Sequence, residues 1–154
     1  MADDPTATFA AQAQAYVDFI ENAYTLDLPE RLREARVQLL DLYKAALALP
    51  AMPEPGTVEA GPSPSTPKDW PGFGDRDHYW EVFDPYVNEP PVGPSLSDDL
   101  LDVYKDLLPG LVLRDAGHAV EARWEWRFRF DHHWGDHAID ALRALHHAIT
   151  SVRT

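Results

Sequence analysis

Apolar residues between positions 28 and 49 recur at alternating intervals of four and three, and this spacing constrains the fold more than any other feature. They are Leu28, Leu32, Ala35, Leu39, Leu42, Ala46 and Leu49. Such a seam runs along one face of an α-helix and needs an apolar neighbour to cover it. Residues 6–24 offer that neighbour, because their apolar positions also repeat at intervals of three and four. A short turn separates the two segments, so we expect an antiparallel helix pair, with Asp27 as N-cap and Pro29 in the first turn of the second helix.

The middle of the chain is less regular. Proline spacing over residues 50–74 excludes both a helix and a central strand, so this segment is predicted to be a mobile surface loop in which only Trp70 and Phe73 contact the body. Residues 75–84 are expected to form a short helix with Tyr79, Trp80 and Phe83 facing inward, and residues 86–94 to be irregular. Ser97 is the predicted N-cap of a third long helix, which residues 109–110 should kink and residues 116–117 should end.

Residues 124–147 hold three of the five Trp and five of the seven His of the chain. Trp124, Trp126, Phe128 and Phe130 alternate with charged residues, which by itself indicates a β-strand. We favour a helix, because the chain offers no convincing partner strand and the same aromatics form i,i+4 pairs that continue into an apolar stripe up to Val152.

Two versions of this helix remain open. A continuous α-helix would bury Arg127 and Asp131 as a charged pair, whereas a break or kink near residues 131–135 would let both reach the surface, with Asp131 capping the second piece. Whether residues 118–152 form one helix or two is therefore undecided at this point. The predicted fold is all-α, a single-domain bundle of about five or six helices spanning residues 1–154, with the Pro-rich loop within it.

Composition excludes several classes of protein. The 154 residues include 13 Lys and Arg against 26 Asp and Glu, which argues against nucleic acid and anionic membranes as partners. The acidic excess lies in residues 1–115, which carry 21 acids and 8 bases, while residues 116–154 carry five of each. The absence of Cys excludes thiolate chemistry. With no apolar run of membrane-spanning length and no N-terminal signal pattern, the expected location is the cytoplasm.

The histidines suggest one conceivable reactive site. His133 and His137 lie at i and i+4, on the boundary between the apolar and solvent faces, and form a candidate site for a divalent metal ion, with Asp140 or Asp136 adjacent as a ligand or as a partner of a ligand. The site needs another ligand from elsewhere, and the candidates are His78, Glu81 and His118. The competing interpretation is that these histidines are exposed or capping residues. The carboxylates of Asp98, Asp99, Asp102 and Asp106 are interpreted as the first turn and exposed face of one helix.

A second candidate is a polar site in the aromatic block. It would consist of Arg127, Asp131, Trp124, Trp126 and Trp134 facing a pocket.

Several separated motifs carry a resemblance to a known family. They are residues 79–86 (YWEVFDPY), residues 95–107 (SLSDDLLDVYKDL), residues 124–128 (WEWRF) and residues 133–143 (HWGDHAIDALR). These motifs resemble the bacterial family called domain of unknown function 5063, most strongly over residues 79–146. The resemblance implies an all-helical fold and brings no activity, cofactor or catalytic residue. An uninterrupted helix would be expected around Pro109, so this residue puts the continuity of that helix in question.

Two hypotheses about function follow. The first is a non-enzymatic, acidic, cytoplasmic protein that engages a protein partner and needs no cofactor, with steering by its acidic surface. The alternative is a metal-dependent enzyme of the helical-bundle kind, in which His133 and His137 hold a divalent ion and a bound water is the nucleophile.

Overall fold

The computed structural model describes residues 3–56, 58–59 and 61–151, and its first two helices form the predicted antiparallel pair. Helix α1 spans Pro5–Asn22 and α2 spans Leu28–Leu47, joined by a 3-10 turn at Ala23–Thr25. The Gln12 and Gln38 side chains are hydrogen-bonded across the pair at 3.1 Å. Asp27 caps α2 as predicted, accepting from the Glu30 N–H at 2.9 Å while the Glu30 side chain accepts from the Asp27 N–H.

Helix α3 spans Leu96–Asp115 and is continuous through Pro109. Its N-cap is Ser95, whose hydroxyl accepts from the Asp98 N–H at 3.0 Å, so the prediction of Ser97 was wrong. The Ser97 side chain is bonded instead to Asp77 at 2.8 Å, which ties the start of α3 to the segment before it.

The aromatic block is helical. Helix α4 (Ala119–Arg129) and helix α5 (Gly135–Ser151) are joined without a break by a π-helical turn, Phe130–Trp134. The preference for helix over strand is thus confirmed, and the predicted break is replaced by a π-turn in which Asp131 caps nothing.

The segment predicted as a short helix at 75–84 is not one. A 3-10 turn at Gly74–Arg76 leads into extended backbone that forms two isolated antiparallel bridges, His78 with Ser95 and Glu81 with Val92. Extended backbone points neighbouring side chains in opposite directions. Tyr79 therefore packs against the core, whereas its neighbour Trp80, predicted to face inward, is exposed. Phe83, also predicted to face inward, lies in the bend that follows the extended stretch and is exposed as well.

The helices close into a bundle in the cyclic order α1, α2, α5, α3, and α4 packs on α3. Phe9 of α1 reaches the centre, where its ring lies 5.0 Å from that of Trp126 and 6.2 Å from that of Trp134. The all-α bundle is confirmed, with four long helical stretches in the described part of the chain instead of five or six. None of these described helices is long and apolar enough to cross a membrane.

The Pro-rich segment contacts the body at more points than expected. Phe73 is fully buried, and the Trp70 indole N–H donates to Ser97 Oγ at 3.0 Å. Both residues therefore contact the body of the protein, as predicted. Met52 and Val58 add contacts that the sequence did not indicate, because the Arg123 Nε–H donates to the Met52 sulfur and Val58 packs against the core.

Candidate metal centre between α3 and α5

The π-turn determines which way the histidines face. Gly135 N–H donates to the carbonyl of Phe130, five residues back, so one more residue fits into this turn than in an α-helix. A Cβ on residue 135 would lie 2.5 Å from the Phe130 carbonyl oxygen, which explains the glycine.

The extra residue also resolves the question of the charged pair. In an uninterrupted α-helix Trp126 and Trp134 would point about 80° apart, and one absorbed residue reduces this to about 20°. Both indoles therefore enter the core, where they are fully buried. The same rotation moves Arg127 and Asp131 off the buried face. They pair at 3.0 Å with their side chains 26% and 42% exposed.

The five residues of the predicted polar site do not assemble into one pocket. Trp126 donates to the Leu107 carbonyl at 3.1 Å, while the Trp134 indole N–H has no hydrogen-bond partner among the described residues. Trp124, Arg127 and Asp131 line a shallow groove of about 180 Å³ on the outer surface.

A ladder of ionic contacts joins α3 to the π-turn and α5. Asp99 Oδ1 lies 2.8 Å from His137 Nδ1, and Asp106 Oδ2 lies 2.5 Å from His133 Nδ1. Arg129 donates to Asp106 at 3.3 Å as well. Both carboxylates are buried, so the interpretation of these aspartates as an exposed helix face was wrong for Asp99 and Asp106. Burial of a carboxylate is tolerated because each one is paired and hydrogen-bonded.

These contacts determine which ring nitrogen is free. An ionised carboxylate only accepts, so in the neutral rings Nδ1 of His133 and of His137 carries the proton and the lone pair of Nε2 is left to bind another group. Asp102, one helical turn from Asp99, completes a cluster in which one ligand atom from each of Asp102, His133 and His137 lies within 4.8 Å of the others. His137 Nε2 and Asp102 Oδ2 are 3.4 Å apart. Two ligand atoms of a tetrahedral ion with bonds of about 2.1 Å are separated by about 3.4 Å.

The structure brings together His133 and His137 but places the other predicted ligands elsewhere. Asp140 is hydrogen-bonded to the carboxyl group of Glu81. Both residues line a neighbouring cavity of about 520 Å³, together with His78. His118 occupies the N-cap position of α4 and makes no capping bond with its side chain.

Electrostatics around the cluster favour a positive charge. The hydrogen bond that His137 donates to Asp99 raises the pKa of His137 despite the opposing effect of burial, and the charge of Asp102 adds to the rise. Burial, and next Asp140, raises the pKa of Glu81 to about 7, and burial also raises the pKa of Asp140. Burial and a hydrogen bond to Asp99 raise the pKa of the Tyr79 hydroxyl.

Sequence reasoning missed the α3 half of this site, although a pattern in α3 indicates it. Asp99, Asp102 and Asp106 have the i, i+3, i+7 spacing of a single helical face. That spacing matches the i, i+4 spacing of His133 and His137, and the two faces meet when α3 packs on α5.

The architecture defined by these contacts is an all-α bundle, and the comparisons with known proteins agree with it. The family described as domain of unknown function (DUF5063) matches residues 72–151, and the chain belongs to this family. The predicted resemblance is thereby confirmed. The matched region contains α3, α4, α5 and the whole histidine–aspartate ladder.

A solved structure supports the same fold. The crystal structure of protein BF1032 from Bacteroides fragilis, a structural genomics target, is similar over 95% of this chain and 92% of that chain, with a TM-score of 0.76 and 20% sequence identity. At this identity the likeness establishes the fold alone. No curated protein matches the chain.

Proposed function

We propose that this protein binds a divalent metal ion through His133, His137 and Asp102. The observation that carries the proposal is the pairing of each imidazole Nδ1 with a buried carboxylate, Asp106 for one and Asp99 for the other. Metal-binding histidines almost always donate their second ring nitrogen to such a group, which fixes the tautomer and the ring orientation. Histidines that only face solvent do not require a buried carboxylate beside each Nδ1, so this arrangement favours metal binding over simple exposure.

The ligand set favours an ion with an open coordination position. Two imidazoles and one carboxylate suit Zn²⁺ and other first-row divalent ions, and three protein ligands leave room for water, as in catalytic zinc sites. A bound water would lose its proton more readily, which is the chemistry that a metal-dependent hydrolytic enzyme needs. The 520 Å³ cavity lies on the side of the site behind His137, since Tyr79 both lines the cavity and donates to Asp99.

Calorimetric titration with Zn²⁺ tests the proposal directly. Protein purified without a His tag and stripped of metal is expected to bind one ion, and His133→Ala, His137→Ala and Asp102→Asn should each weaken binding by about 100-fold or more. Matched controls are His146→Ala and Asp136→Asn, which remove an exposed side chain of the same kind from α5. Equal affinities in all five variants, or no stoichiometric binding by the unmodified chain, would contradict the metal site.

The buried carboxylates allow a sharper test. Asp106→Asn and Asp99→Asn leave all three ligands in place but remove the negative acceptor behind each imidazole, so Zn²⁺ affinity is expected to fall by about 10- to 100-fold. Co²⁺ absorption spectra of the same variants report whether the coordination geometry has changed. Unaltered affinity in both variants would mean that the aspartates have only a structural role.

We also propose, as a second candidate function, that the protein engages a protein partner in the cytoplasm and needs no cofactor to do so. The specific observation in its favour is a set of large apolar side chains that are exposed in one ordered segment, beside a net charge of −13. Co-elution of the native chain with another protein at low salt, lost at high salt, is the expected result. Elution of the chain alone at every salt concentration would argue against this function.

A further inference from the structure

Residues 78–95 form a hairpin-like excursion between the Pro-rich segment and α3, here called the aromatic hairpin. Two antiparallel bridges close it, with the Glu81 and Val92 backbones exchanging hydrogen bonds of 3.0 and 2.7 Å. The Leu96 N–H donates to the carbonyl of Asp77 at 2.8 Å, which anchors the base of the hairpin to the start of α3.

The aromatic hairpin displays three large aromatic side chains to solvent. Trp80 is 76% exposed, Phe83 79% and Tyr86 96%, although the two largest core residues of the same chain are completely buried. Val82, Val87 and Val92 are exposed beside them. A concentration of apolar surface of this kind is typical of an interaction site, since isolated apolar residues on a surface are common but clusters are not.

The turn that carries Phe83 and Tyr86 is held by hydrogen bonds. The Asp84 side chain accepts from the Tyr86 N–H at 2.9 Å, and the Asp84 carbonyl accepts from the Val87 N–H at 3.1 Å. The Glu89 side chain accepts from the Asp84 N–H at 3.1 Å. A preformed loop loses little conformational entropy on binding, so the aromatics are presented ready for contact.

The charges beside the aromatics decide among possible occupants. Residues 80–92 contain Glu81, Asp84 and Glu89 and no Lys or Arg. A second copy of the chain would bring another net charge of −13 against this surface, and an anionic membrane would also be repelled. A protein surface with an apolar pocket and a rim of Lys and Arg matches both the aromatics and the acids.

We propose that the aromatic hairpin docks into an apolar pocket, rimmed by basic residues, on a partner protein. This inference rests on the second proposed function and gives it a surface and a partner chemistry. Trp80, Phe83 and Tyr86 fill the pocket, while Asp84 and Glu89 steer the approach and pair with the rim.

Site-specific photocrosslinking in the native host tests the surface and the partner class together. A photoreactive phenylalanine analogue replaces Phe83 in one variant and Tyr24 in the control. Tyr24 is an aromatic residue that is 54% exposed and lies outside the hairpin, in the 3-10 turn between α1 and α2. We expect one discrete crosslinked protein from position 83 and none from position 24. Mass spectrometry of the crosslinked peptide should place the contact among apolar residues flanked by Lys or Arg.

Binding of the purified partner then measures the two contributions. Phe83→Ala with Tyr86→Ala is expected to reduce affinity at least 100-fold, whereas Glu89→Lys should slow association and weaken its dependence on salt. The matched control is Val37→Ala, an exposed apolar position on α2, with unchanged affinity.

The outcomes separate the two levels of the proposal. Crosslinks from position 24 but not 83 mean that a partner exists and binds elsewhere, which overturns the docking surface alone. No crosslink from either position overturns both the surface and the partner function. Crosslinks from position 83 to a second copy of this chain, to lipid, or to an acidic protein surface overturn the stated occupant.

Discussion

Gly110 of α3 lies directly against Trp126 of α4, and its replacement tests how the bundle is built. A Cβ at this position would lie 2.1 Å from Nε1, 2.4 Å from Cε2 and 2.6 Å from Cδ1 of Trp126. These atoms belong to a rigid, fully buried ring, so they cannot move aside as the end of a flexible side chain would. The change Gly110→Ala must therefore push α3 and α4 apart or turn the indole out of place.

Two opposing effects determine the size of the change. Alanine in place of glycine inside a helix contributes about 1 kcal/mol of stability. Overpacking costs about 1–3 kcal/mol, and loss of the bond from Trp126 to the Leu107 carbonyl, 3.1 Å in the structure, costs about 1–3 kcal/mol more because both groups are buried. The steric and hydrogen-bond costs win, so we expect Gly110→Ala to lower the free energy of unfolding by about 2–4 kcal/mol.

Urea unfolding followed by Trp fluorescence measures this difference. Gly56→Ala is the control, because a Cβ there meets nothing within 4 Å, and its effect should stay within about 0.5 kcal/mol. In a Trp126→Leu background the cost of Gly110→Ala should shrink by at least about 1 kcal/mol, since the obstructing ring is gone. A Gly110→Ala protein as stable as the original, or an undiminished cost in the double variant, would refute the close contact as the reason for the glycine.

Three further predictions concern single side chains. Folding raises the pKa of Glu81 from 4.5 to about 7, so the folded state keeps a proton that the unfolded chain releases. The free energy of unfolding must then fall as pH rises from about 4.5 to 7. After allowance for solvent screening, the fall should be about 1–2 kcal/mol larger than in Glu81→Gln, and equilibrium unfolding at several pH values measures it. A parallel pH dependence in the two proteins contradicts this assignment. Arg127→Leu should lower the free energy of unfolding by only about 1–2 kcal/mol in a thermal melt. The variant loses the hydrogen bond to the Leu49 carbonyl, while Asp131, the partner in the ion pair, stays in contact with water. A loss of about 3 kcal/mol or more would show that Asp131 is effectively buried. Gly135→Ala places a Cβ 2.5 Å from the Phe130 carbonyl oxygen, so we expect it to lower the free energy of unfolding in urea by about 1–3 kcal/mol. An unchanged unfolding midpoint would mean that the π-turn does not require glycine.

The helices themselves could be predicted from the sequence because their evidence is local. The seam from Leu28 to Leu49, the Asp27 cap and the i,i+4 pairing of the aromatics each depend on residues within a turn or two of one another. Errors arose where a distant contact decided the outcome. Serine is a residue type favoured at N-caps, but the Ser97 hydroxyl is hydrogen-bonded to Asp77, and Ser95 is the N-cap of α3.

Only half of the candidate site could be predicted from the sequence, again because local spacing shows residues of one helix and not contacts between helices. His133 and His137 lie one helical turn apart on a single element, so their spacing alone marks them as a pair. Asp102 is 31 positions before the nearer of them and on another helix. Only the packing of α3 against α5 brings its carboxylate to the imidazoles.

By itself, the sequence determined that this chain is an all-α bundle, since apolar periodicity commits each segment to a helix whose face must be buried. The tertiary structure decided how those faces are phased. The π-turn at residues 130–134 absorbs one extra residue, because only then do Trp126 and Trp134 both reach the core. The same rotation brings Arg127 to the surface and aligns the histidines with the aspartates of α3. Contacts between residues far apart in the sequence decide this outcome, so the local spacing of residues could not predict it.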